Sequence, residues 1–380
     1  MYRFRFLIIS LTIFITSCTQ NSDKIMLKGE IDGNPPSSVK ILELLPNGSQ
    51  FLDSASIING KFKYAIPRSE SGFYQLIFSA EETFLFAAKG GETLLFKGNF
   101  TMGKRTFTME GSAENDIFME MNQRLDECYV LTDSLAKILT KAIYQEDYLE
   151  IKKSIDESYQ NAFQKHRQWL KELINKNSKS LISLMAYYQA LGNNRFFDDY
   201  QDFEWMSKIH ENLSQDFSNN IHFEHFSKNY QRIKFEIEEN KKILSALEIG
   251  KPIPNLSFFT ESKGVVSPKN FQGKPLILFF WSFISKSSID IIPLLKKLSA
   301  EKNIQVLAIS FEKNEDKAHS FSSKHLNFAT FSNEEKMFES LAAKTYNIKS
   351  TPAFILVDKE GKIVVRTHEF NELKQSCVTL

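Results

Sequence analysis

Cysteine is the residue type in this sequence whose positions bear most directly on chemistry. The chain has three cysteines, Cys18, Cys128 and Cys377. A thiolate can attack a disulfide or a peroxide, and two thiols can form a disulfide. Cys128 and Cys377 lie far apart in the sequence, and nothing in their spacing supports a disulfide between them. We interpret both as isolated thiols and keep a Cys128–Cys377 disulfide as an open alternative.

The apolar run before Cys18 is typical of an export signal. Arg3 and Arg5 precede an apolar stretch at residues 6–15, which is about ten residues long and too short to span a bilayer. The stretch ends in Ile-Thr-Ser-Cys, which resembles the lipobox of bacterial lipoproteins. The resemblance implies that residues 1–17 are a lipoprotein signal peptide and that a lipid on Cys18 attaches the chain to a membrane. Without this peptide the chain is close to neutral, so we expect the lipid rather than a basic surface to hold it there.

The overall composition argues against several function classes. Hydrophobic residues make up 42% of the chain, which is enough to build cores, so we expect folded domains. The formal net charge is +1 and no segment carries a long basic run, so we predict no nucleic acid partner. The sequence has no glycine-rich phosphate loop and no carboxylate pair at a defined spacing, and we predict no cofactor.

One histidine pair has a spacing that could suit a metal ion. His222 and His225 lie three residues apart, with Glu224 between them. A zinc site would need a third ligand at a clear spacing, and the sequence does not offer one. We interpret the segment as a surface helix and predict no metal.

Residues 24–113 have the pattern of a β-rich domain. Short apolar stretches recur between turns that carry glycine, asparagine or aspartate, which predicts an antiparallel sandwich or barrel. Asn59-Gly60 is the strongest hairpin signal among these turns. The predicted strands are 25–31, 39–45, 56–58, 62–66, 73–78, 83–88, 92–96 and 106–109.

Residues 114–247 have the pattern of a helical segment, with no proline and a single glycine. In its first part apolar residues follow steps of three and four, which places them on one helix face with Cys128 as a buried member. The residues of this face are Ile117, Met121, Leu125, Cys128, Leu131, Leu135 and Ile138. Further helices are predicted at about 146–175, 180–191, 196–213 and 223–247.

Residues 248–380 alternate strand and helix patterns. Residues 275–281 form a continuous apolar run, which predicts a central strand covered on both faces. The order β–α–β–α–β–β predicts an α/β fold around a mixed sheet, and a closing helix is expected after His368. The other predicted strands are 304–310, 353–358 and 362–366, and the predicted helices are 286–300, 314–325 and 334–345.

Three segments of this region resemble thioredoxin-like envelope proteins. Residues 280–293, Phe-Trp-Ser-Phe-Ile-Ser-Lys-Ser-Ser-Ile-Asp-Ile-Ile-Pro, align without a gap with that family's Phe-Trp-Ala-Ser-Trp-Cys-x-x-Cys motif and the proline-containing helix after it. Residues 346–358 resemble the family's cis-proline segment and the strand that follows, and residues 249–258 resemble its entry segment. The resemblance covers about residues 247–380 and implies a thioredoxin-like fold.

The resemblance assigns each candidate site residue to a position in the motifs of this family. Ser285 and Ser288 stand at the two redox cysteine positions, while Trp281, Thr351 and Pro352 belong to the groove with the cis-proline, which contacts protein substrates in active relatives. Serine cannot replace cysteine in disulfide exchange, because its hydroxyl is far less acidic and has no equivalent chemistry. We therefore expect no catalytic residue here, and a redox-inactive domain that binds a protein or peptide.

A serine nucleophile is the other chemical use that Ser285 could have. It would need a base such as histidine within hydrogen-bond reach, and His319, His325 and His368 show no pattern that would place one there. We interpret Ser285 as a helix N-cap, which is a favoured role for serine.

The N-terminal part resembles a β-rich domain of unknown function that precedes thioredoxin-like domains in Bacteroidetes lipoproteins. The matching segments are residues 27–31, 59–62 and 109–115. The resemblance implies a location in the cell envelope, at the outer membrane and facing the periplasm or the surface. The competing hypothesis is a thiol-disulfide oxidoreductase or peroxiredoxin-like enzyme that acts through Cys128 or Cys377, and a third is a lipoprotein with a purely structural role.

Overall fold

The computed structural model describes residues 24–101, 106–260 and 262–378. The predicted signal peptide and Cys18 lie outside the described residues. The chain divides into two compact units, with the boundary between Lys234 and Phe235. The first unit contains the β-rich region and most of the helical segment, and the second contains the C-terminal α/β region.

Two four-stranded sheets make up the β-rich region, with the orders β4-β1-β7-β8 and β3-β2-β5-β6. The strands are β1 (Ile25–Gly33), β2 (Ser38–Leu45), β3 (Gly48–Ser56), β4 (Lys61–Ile66), β5 (Gly72–Ile77), β6 (Thr83–Ala88), β7 (Thr93–Phe100) and β8 (Thr106–Glu110). Residues of β1 are alternately buried and exposed, so one face of its sheet packs on the core. That core joins both sheets, since the rings of Phe84 and Phe96 meet edge to face at 5.3 Å.

The predicted antiparallel arrangement is wrong for one strand pair. β1 and β7 pair in parallel, from Met26 opposite Thr93 to Gly33 opposite Phe100, whereas the other ladders of the two sheets are antiparallel. A hairpin turn joins only antiparallel neighbours, but the chain passes through the second sheet between β1 and β7. No local turn therefore sets their relative direction.

The Asn59-Gly60 turn is confirmed as a hairpin. Ile58 and Lys61 exchange two backbone hydrogen bonds across it, of 2.9 and 3.0 Å. Asn59 has a φ of 49° and Gly60 a φ of 71°, as a type I′ turn requires. A Cβ atom on Gly60 would lie 2.3 Å from the carbonyl oxygen of Ile31, so a side chain there would force the backbone apart.

The helical segment contains long helices and one short hairpin. Its elements are α1 (Ala113–Ala142), α2 (Tyr148–Lys176), α3 (Ile182–Tyr188), β9 (Ala190–Leu191), β10 (Asn194–Arg195), α4 (Phe203–Leu213) and α5 (Ile221–Ala246). The predicted apolar face of α1 is buried at Met121 and Cys128 but half exposed at Ile138. The predicted helix at 196–213 begins only at Phe203, because the Asp198 carboxylate accepts the backbone N–H groups of Tyr200 and Gln201 and holds a turn instead.

Three histidines of the first unit make its stability depend on pH. Burial lowers the pKa of His166, His210 and His222. The unfolded chain keeps the ordinary histidine pKa of about 6.5, so it binds protons before the folded chain does as the pH falls. We expect the free energy of unfolding to have its full value above about pH 7. It should decrease as the pH falls below about 6.5, toward the lower pKa values of these histidines in the folded state.

Urea unfolding of the full chain between pH 7.5 and 5.5 measures this effect. His166 donates or accepts a 2.6 Å hydrogen bond with Gln189, and His166→Gln removes its titration. The variant should lose less stability over this pH range than the native chain does. Gln164→Ser, at an exposed position of the same helix, removes no titrating group and is the matched control, so it should follow the native chain. Parallel curves for His166→Gln and the native chain would contradict the assignment.

The C-terminal unit is built around a five-stranded sheet with the order β15-β14-β13-β16-β17. Its elements are β11 (Phe258–Thr260), β12 (Gly264–Val266), β13 (Leu276–Trp281), α6 (Lys286–Lys302), β14 (Gln305–Ser310), α7 (Glu315–His325), β15 (Thr330–Asn333), α8 (Leu341–Thr345), β16 (Ala353–Val357), β17 (Ile363–Thr367) and α9 (Phe370–Ser376). β14 runs parallel to β13 and β15, and β16 is antiparallel to β13 and β17. The sheet is therefore mixed, as predicted.

The strand predicted from residues 275–281 is confirmed as a central strand covered on both faces. All six residues of β13 are buried, and alternate residues belong to two separate apolar clusters. The predicted element order differs from the structure at two places. It lacks the β11–β12 hairpin at the start of the unit, and it lacks β15 and gives residues 334–345 as one helix. That segment holds a single 3-10 turn at Met337–Glu339 and the short α8. β15 has only four residues, too few to produce a recognisable alternation.

Candidate functional site

The candidate site lies where the chain leaves β13 and enters α6. Ser285 is the N-cap of α6, and its hydroxyl oxygen accepts the backbone N–H of Ser288 at 3.3 Å. The backbone of Ser285 is extended, with φ −84° and ψ 104°, as an N-cap requires. The interpretation of Ser285 as a helix cap is thereby confirmed.

Ser285 also contacts the segment around Pro352. Its hydroxyl donates a 3.1 Å hydrogen bond to the carbonyl oxygen of Thr351, and the Thr351–Pro352 peptide bond is cis. The hydroxyl of Ser287 lies 3.0 Å from that of Ser285. The structure thus brings Ser285, Thr351 and Pro352 together, although they are far apart in the sequence. We call these residues, with Ile284 and Ser287, the cis-proline site.

Ser288 and Trp281 lie beneath this site rather than on it. Both are 0% exposed, and neither the Ser288 hydroxyl nor the Trp281 Nε1 has a hydrogen-bond partner among the residues that the structure describes. The Trp281 ring packs in the core at 5.2 Å from the ring of Phe321 and 6.4 Å from that of Phe279. Trp281 therefore supports the site from below and does not line the wall of a groove.

Glu312 is a site residue that the sequence pattern does not reveal. Its side chain is 3% exposed, and one carboxylate oxygen accepts both the Ser282 hydroxyl at 2.6 Å and the Phe283 backbone N–H at 2.7 Å. The Ser282 hydroxyl in turn accepts the backbone N–H of Ile284 at 3.2 Å. Glu312 thus fixes residues 282–284, the loop that connects β13 to Ser285. The signal available in the sequence was an acidic residue two positions after a buried strand, at the edge where parallel strands end.

Among the described residues, no side chain that could act as a base is hydrogen-bonded to Ser285. The hydrogen-bond partners of Ser285 among the described residues are Thr351, Ser287 and Ser288, and no histidine is among them. His368 directs its Nδ1 to the carbonyl oxygen of Pro352 at 2.8 Å. Among these partners, the Thr351 carbonyl and the Ser287 hydroxyl could accept the Ser285 proton, and neither of them is a base.

Cys128 and Cys377, whose thiols the competing enzyme hypothesis requires, are both buried. Cys128 and Cys377 are free cysteines. Burial raises the pKa of the Cys377 thiol to about 11, although Lys302 acts in the opposite direction. Burial also raises the pKa of Cys128, and the carboxylate of Glu127 adds to the shift. A reactive cysteine needs an accessible thiolate, and neither residue has this environment.

The histidine pair considered for a metal lies on α5. His222 packs edge to face on the ring of Phe73 at 5.0 Å, and Glu224 pairs with Lys228 at 3.8 Å. Within residues 24–101, 106–260 and 262–378, no cluster of three or more histidine, cysteine or acidic residues is arranged to hold a metal ion. In the same ranges no helix has the length and apolar character to cross a membrane.

Comparison with known proteins agrees with the architecture of the second unit. Residues 249–366 match the model of the AhpC/TSA family, which is less than half of the chain. With the sheet order described above, this match defines a C-terminal thioredoxin-like redoxin domain. The protein as a whole is a multidomain chain with a β-rich N-terminal region, a helical middle and this domain. No curated protein matches the sequence.

Several solved structures resemble about the last third of the chain. The thioredoxin domain of a thiol-disulfide oxidoreductase from Bacteroides vulgatus is 22% identical, with a TM-score of 0.32, and the match covers 35% of this chain and 97% of that one. A thiol-disulfide oxidoreductase from Bacteroides fragilis is 24% identical, with a TM-score of 0.30 and coverage of 33% and 98%. A secreted disulfide oxidoreductase from Mycobacterium tuberculosis is 21% identical, with a TM-score of 0.29 and coverage of 33% and 96%.

Proposed function

We propose that this chain is a lipid-anchored envelope protein whose thioredoxin-like domain binds an extended peptide or protein segment and does not exchange disulfides. The observation that carries the proposal is the bond from the Ser285 hydroxyl to the Thr351 carbonyl beside the cis peptide bond. It joins the position of the first redox cysteine to the segment that contacts substrates in the proteins this domain resembles. The contact between the start of α6 and the cis-proline segment is kept, while serine replaces the cysteine of the resembled proteins.

The absence of disulfide exchange is supported by the chemistry of the side chains. Ser285 and Ser288 carry hydroxyls, which do not form a thiolate or a disulfide. Cys128 and Cys377 are buried, and both have raised pKa values. A thiol enzyme needs at least one accessible thiol of low pKa, and neither of these two thiols provides it.

Binding at the cis-proline site is supported by its surface. Ile284 is 78% exposed, although isoleucine is an apolar residue, and it directly precedes Ser285. The neighbouring Lys286 and Ser287 are also exposed. An exposed apolar side chain beside polar groups that can form hydrogen bonds is the composition expected of a small peptide-binding surface.

The location is proposed from the sequence alone. Residues 15–18 resemble a lipobox, so a lipid on Cys18 would hold the chain at a membrane, which we place at the outer membrane, facing the periplasm or the surface. The protein or peptide partner would then be another component of the cell envelope.

The binding function can be tested with an array of extended peptides probed with the full chain. Ile284→Ser removes the exposed apolar contact at little cost to the fold, because the side chain is already in solvent. We expect the native chain to select a subset of peptides and Ile284→Ser to bind them about tenfold more weakly. Leu341→Ser is the matched control, since Leu341 is 65% exposed elsewhere in the same unit, and it should bind as the native chain does.

Two results would contradict the proposal. The native chain could bind no peptide selectively, or Ile284→Ser and Leu341→Ser could bind with equal affinity. In the second case the peptides would bind somewhere other than the cis-proline site.

A further inference from the structure

A cavity of about 360 Å³ lies in the first unit, where residues of β2, β5 and the segment between β4 and β5 meet the start of α5. Its volume falls in the range of roughly 300–1,000 Å³ that is typical of small-molecule sites. Asn220, which is 4% exposed, joins the two sides, because its Nδ2 donates to the carbonyl oxygen of Ser71 at 2.8 Å. We call this space the Tyr74 cavity, and its lining includes Glu43, Arg68, Glu70, Gly72, Tyr74 and His222.

The Tyr74 hydroxyl is a polar group of this cavity without a protein partner. The Tyr74 side chain is 1% exposed, and its hydroxyl forms no hydrogen bond with any described residue. Buried polar groups are nearly always paired with protein or ordered solvent. Unlike the Ser288 hydroxyl, which is unpaired and sealed from solvent, the Tyr74 hydroxyl reaches the cavity, where a ligand atom can contact it. Burial, the main cause, raises the pKa of Tyr74, so this hydroxyl keeps its proton and can donate a hydrogen bond.

The space beside this hydroxyl is open because residue 72 is glycine. A Cβ atom at Gly72 would lie 3.0 Å from the hydroxyl oxygen of Tyr74 and 3.3 Å from its Cζ. Gly72 does not have a positive φ, so its backbone conformation is one that other residues adopt. What glycine provides at this position is therefore room beside the hydroxyl.

The charges of the cavity disfavour an anion. Glu43 is 9% exposed, and its carboxylate accepts the Arg68 Nε at 3.0 Å and the Arg68 Nη2 at 2.6 Å. Burial lowers the pKa of His222, although the Glu43 carboxylate acts in the opposite direction, so this histidine is neutral at pH 7. The carboxylate of Glu70 is then the lining charge that no cation of the cavity balances. A bound anion would be repelled by Glu70, and the Arg68 guanidinium is already engaged by Glu43.

The uncharged lining side chains suit a ligand that is rich in hydroxyl groups. Besides Tyr74, hydroxyl and amide side chains line the cavity at Gln50, Ser69, Ser71, Asn219 and Asn220. Hydroxyls and amides both donate and accept hydrogen bonds, and a ligand hydroxyl does the same. A wholly apolar ligand would bury these groups without partners, which is unfavourable. Leu45, Pro67 and Ile221 supply a smaller apolar part of the lining.

We propose that the Tyr74 cavity binds a neutral saccharide, whose ring hydroxyls pair with the Tyr74 hydroxyl and with the amide and hydroxyl side chains around it. The carbon atoms of the sugar ring pack against the apolar part of the lining. This site does not depend on the proposed peptide-binding function, because the cavity belongs to the first unit and the cis-proline site to the second. The sugar can be free or the end unit of a glycan, since both present the same ring hydroxyls.

Isothermal titration calorimetry of the full chain with glucose, galactose and mannose tests the site. Each hexose is used as the free sugar, as its methyl glycoside, which imitates the end unit of a glycan, and as its uronate, which carries a carboxylate. We expect at least one neutral form to bind with a Kd of about 1 mM or lower. The uronate of that sugar should bind about tenfold more weakly, because Glu70 repels its charge. The tighter of the free and methylated forms identifies the source of the sugar.

Two variants test whether the sugar occupies this cavity. Tyr74→Phe removes only a hydroxyl without a protein partner, so the midpoint of thermal unfolding should stay at its native value while the affinity for the sugar falls about fivefold to tenfold. Gly72→Ala places a methyl group beside that hydroxyl and should reduce the affinity by at least as much. Tyr129→Phe is the matched control, because the Tyr129 hydroxyl accepts the Gly192 N–H at 3.0 Å and does not line the cavity, and it should bind the sugar as the native chain does.

Three results would overturn this proposal. The neutral sugars and glycosides could all fail to bind with a Kd below about 10 mM. A uronate could bind as tightly as its neutral parent, which would indicate an anion site. Tyr74→Phe could keep the native affinity, which would place the sugar elsewhere, and this variant decides the question even where Gly72→Ala fails to fold. Peptide binding at the cis-proline site is measured separately and stands or falls on the array.

Discussion

Replacement of both Ser285 and Ser288 by cysteine should give the chain a disulfide exchange activity, which we propose is absent from the native chain. The two residues are the N-cap and the third residue of α6, and helix geometry places Cα atoms three residues apart at about 5 Å, within the range of roughly 4.4–6.8 Å that a disulfide spans. A thiolate at position 285 would accept the backbone N–H of residue 288, as the Ser285 hydroxyl does now, at the positive end of the α6 dipole. Comparable helix N-terminal cysteines have pKa values of about 3.5–7.5, well below that of a free thiol.

Insulin reduction in the presence of dithiothreitol measures the gain. The native chain should stay at the background rate, and the double variant should exceed it. The single variant Ser285→Cys is the matched control, since it supplies the nucleophile without the resolving thiol and should not turn over. Activity in the native chain that is lost in Cys377→Ala would contradict our account, because it would restore the thiol enzyme hypothesis.

Replacement of Trp281 by alanine should cost the C-terminal unit about 3–5 kcal/mol of its free energy of unfolding. The ring is fully buried among Phe279, Phe321 and Phe331, so its removal leaves a large cavity in the core beneath the cis-proline site. This is a large share of the stability of a typical domain. A loss of peptide binding in this variant would therefore report unfolding rather than a lost contact.

Trp281→Phe is the matched variant for this prediction. Phenylalanine keeps most of the ring packing and removes the Nε1–H group, which has no hydrogen-bond partner within the described part of the chain. Denaturant unfolding followed by circular dichroism should show a much smaller loss for Trp281→Phe than for Trp281→Ala. Equal losses in the two variants would mean that ring packing is not what Trp281 contributes.

Features that depend on neighbouring residues could be predicted from the sequence. Asn59-Gly60 predicts its hairpin because both residues tolerate the positive φ of a type I′ turn. Residues 275–281 predict a central strand because only a strand covered on both faces can bury so continuous an apolar run. The N-cap role of Ser285 follows from its position just before a helical pattern.

Features that depend on the arrangement of distant elements could not be predicted. β3 lies at the edge of its sheet with most residues exposed, so it shows no alternation, and the strand predicted at 56–58 covers only its last residue and the bridge at Ile58. Glu312 can bind the loop after β13 only because β13 and β14 are neighbours in the sheet, and no local sequence pattern indicates that pairing. The burial of Trp281 likewise depends on helix α7, which brings Phe321 against its ring.

The bond between Ser285 and the Thr351 carbonyl has a consequence for how the site responds to its surroundings. In a dithiol protein the corresponding position switches between a thiol and a disulfide, so its contacts follow the oxidation state of the compartment. A hydroxyl has no such second state, and this bond persists whether the medium is oxidising or reducing. The hydrogen bond should therefore not respond to redox changes, and the affinity for the proposed peptide ligand should be the same in the presence of glutathione or of its disulfide.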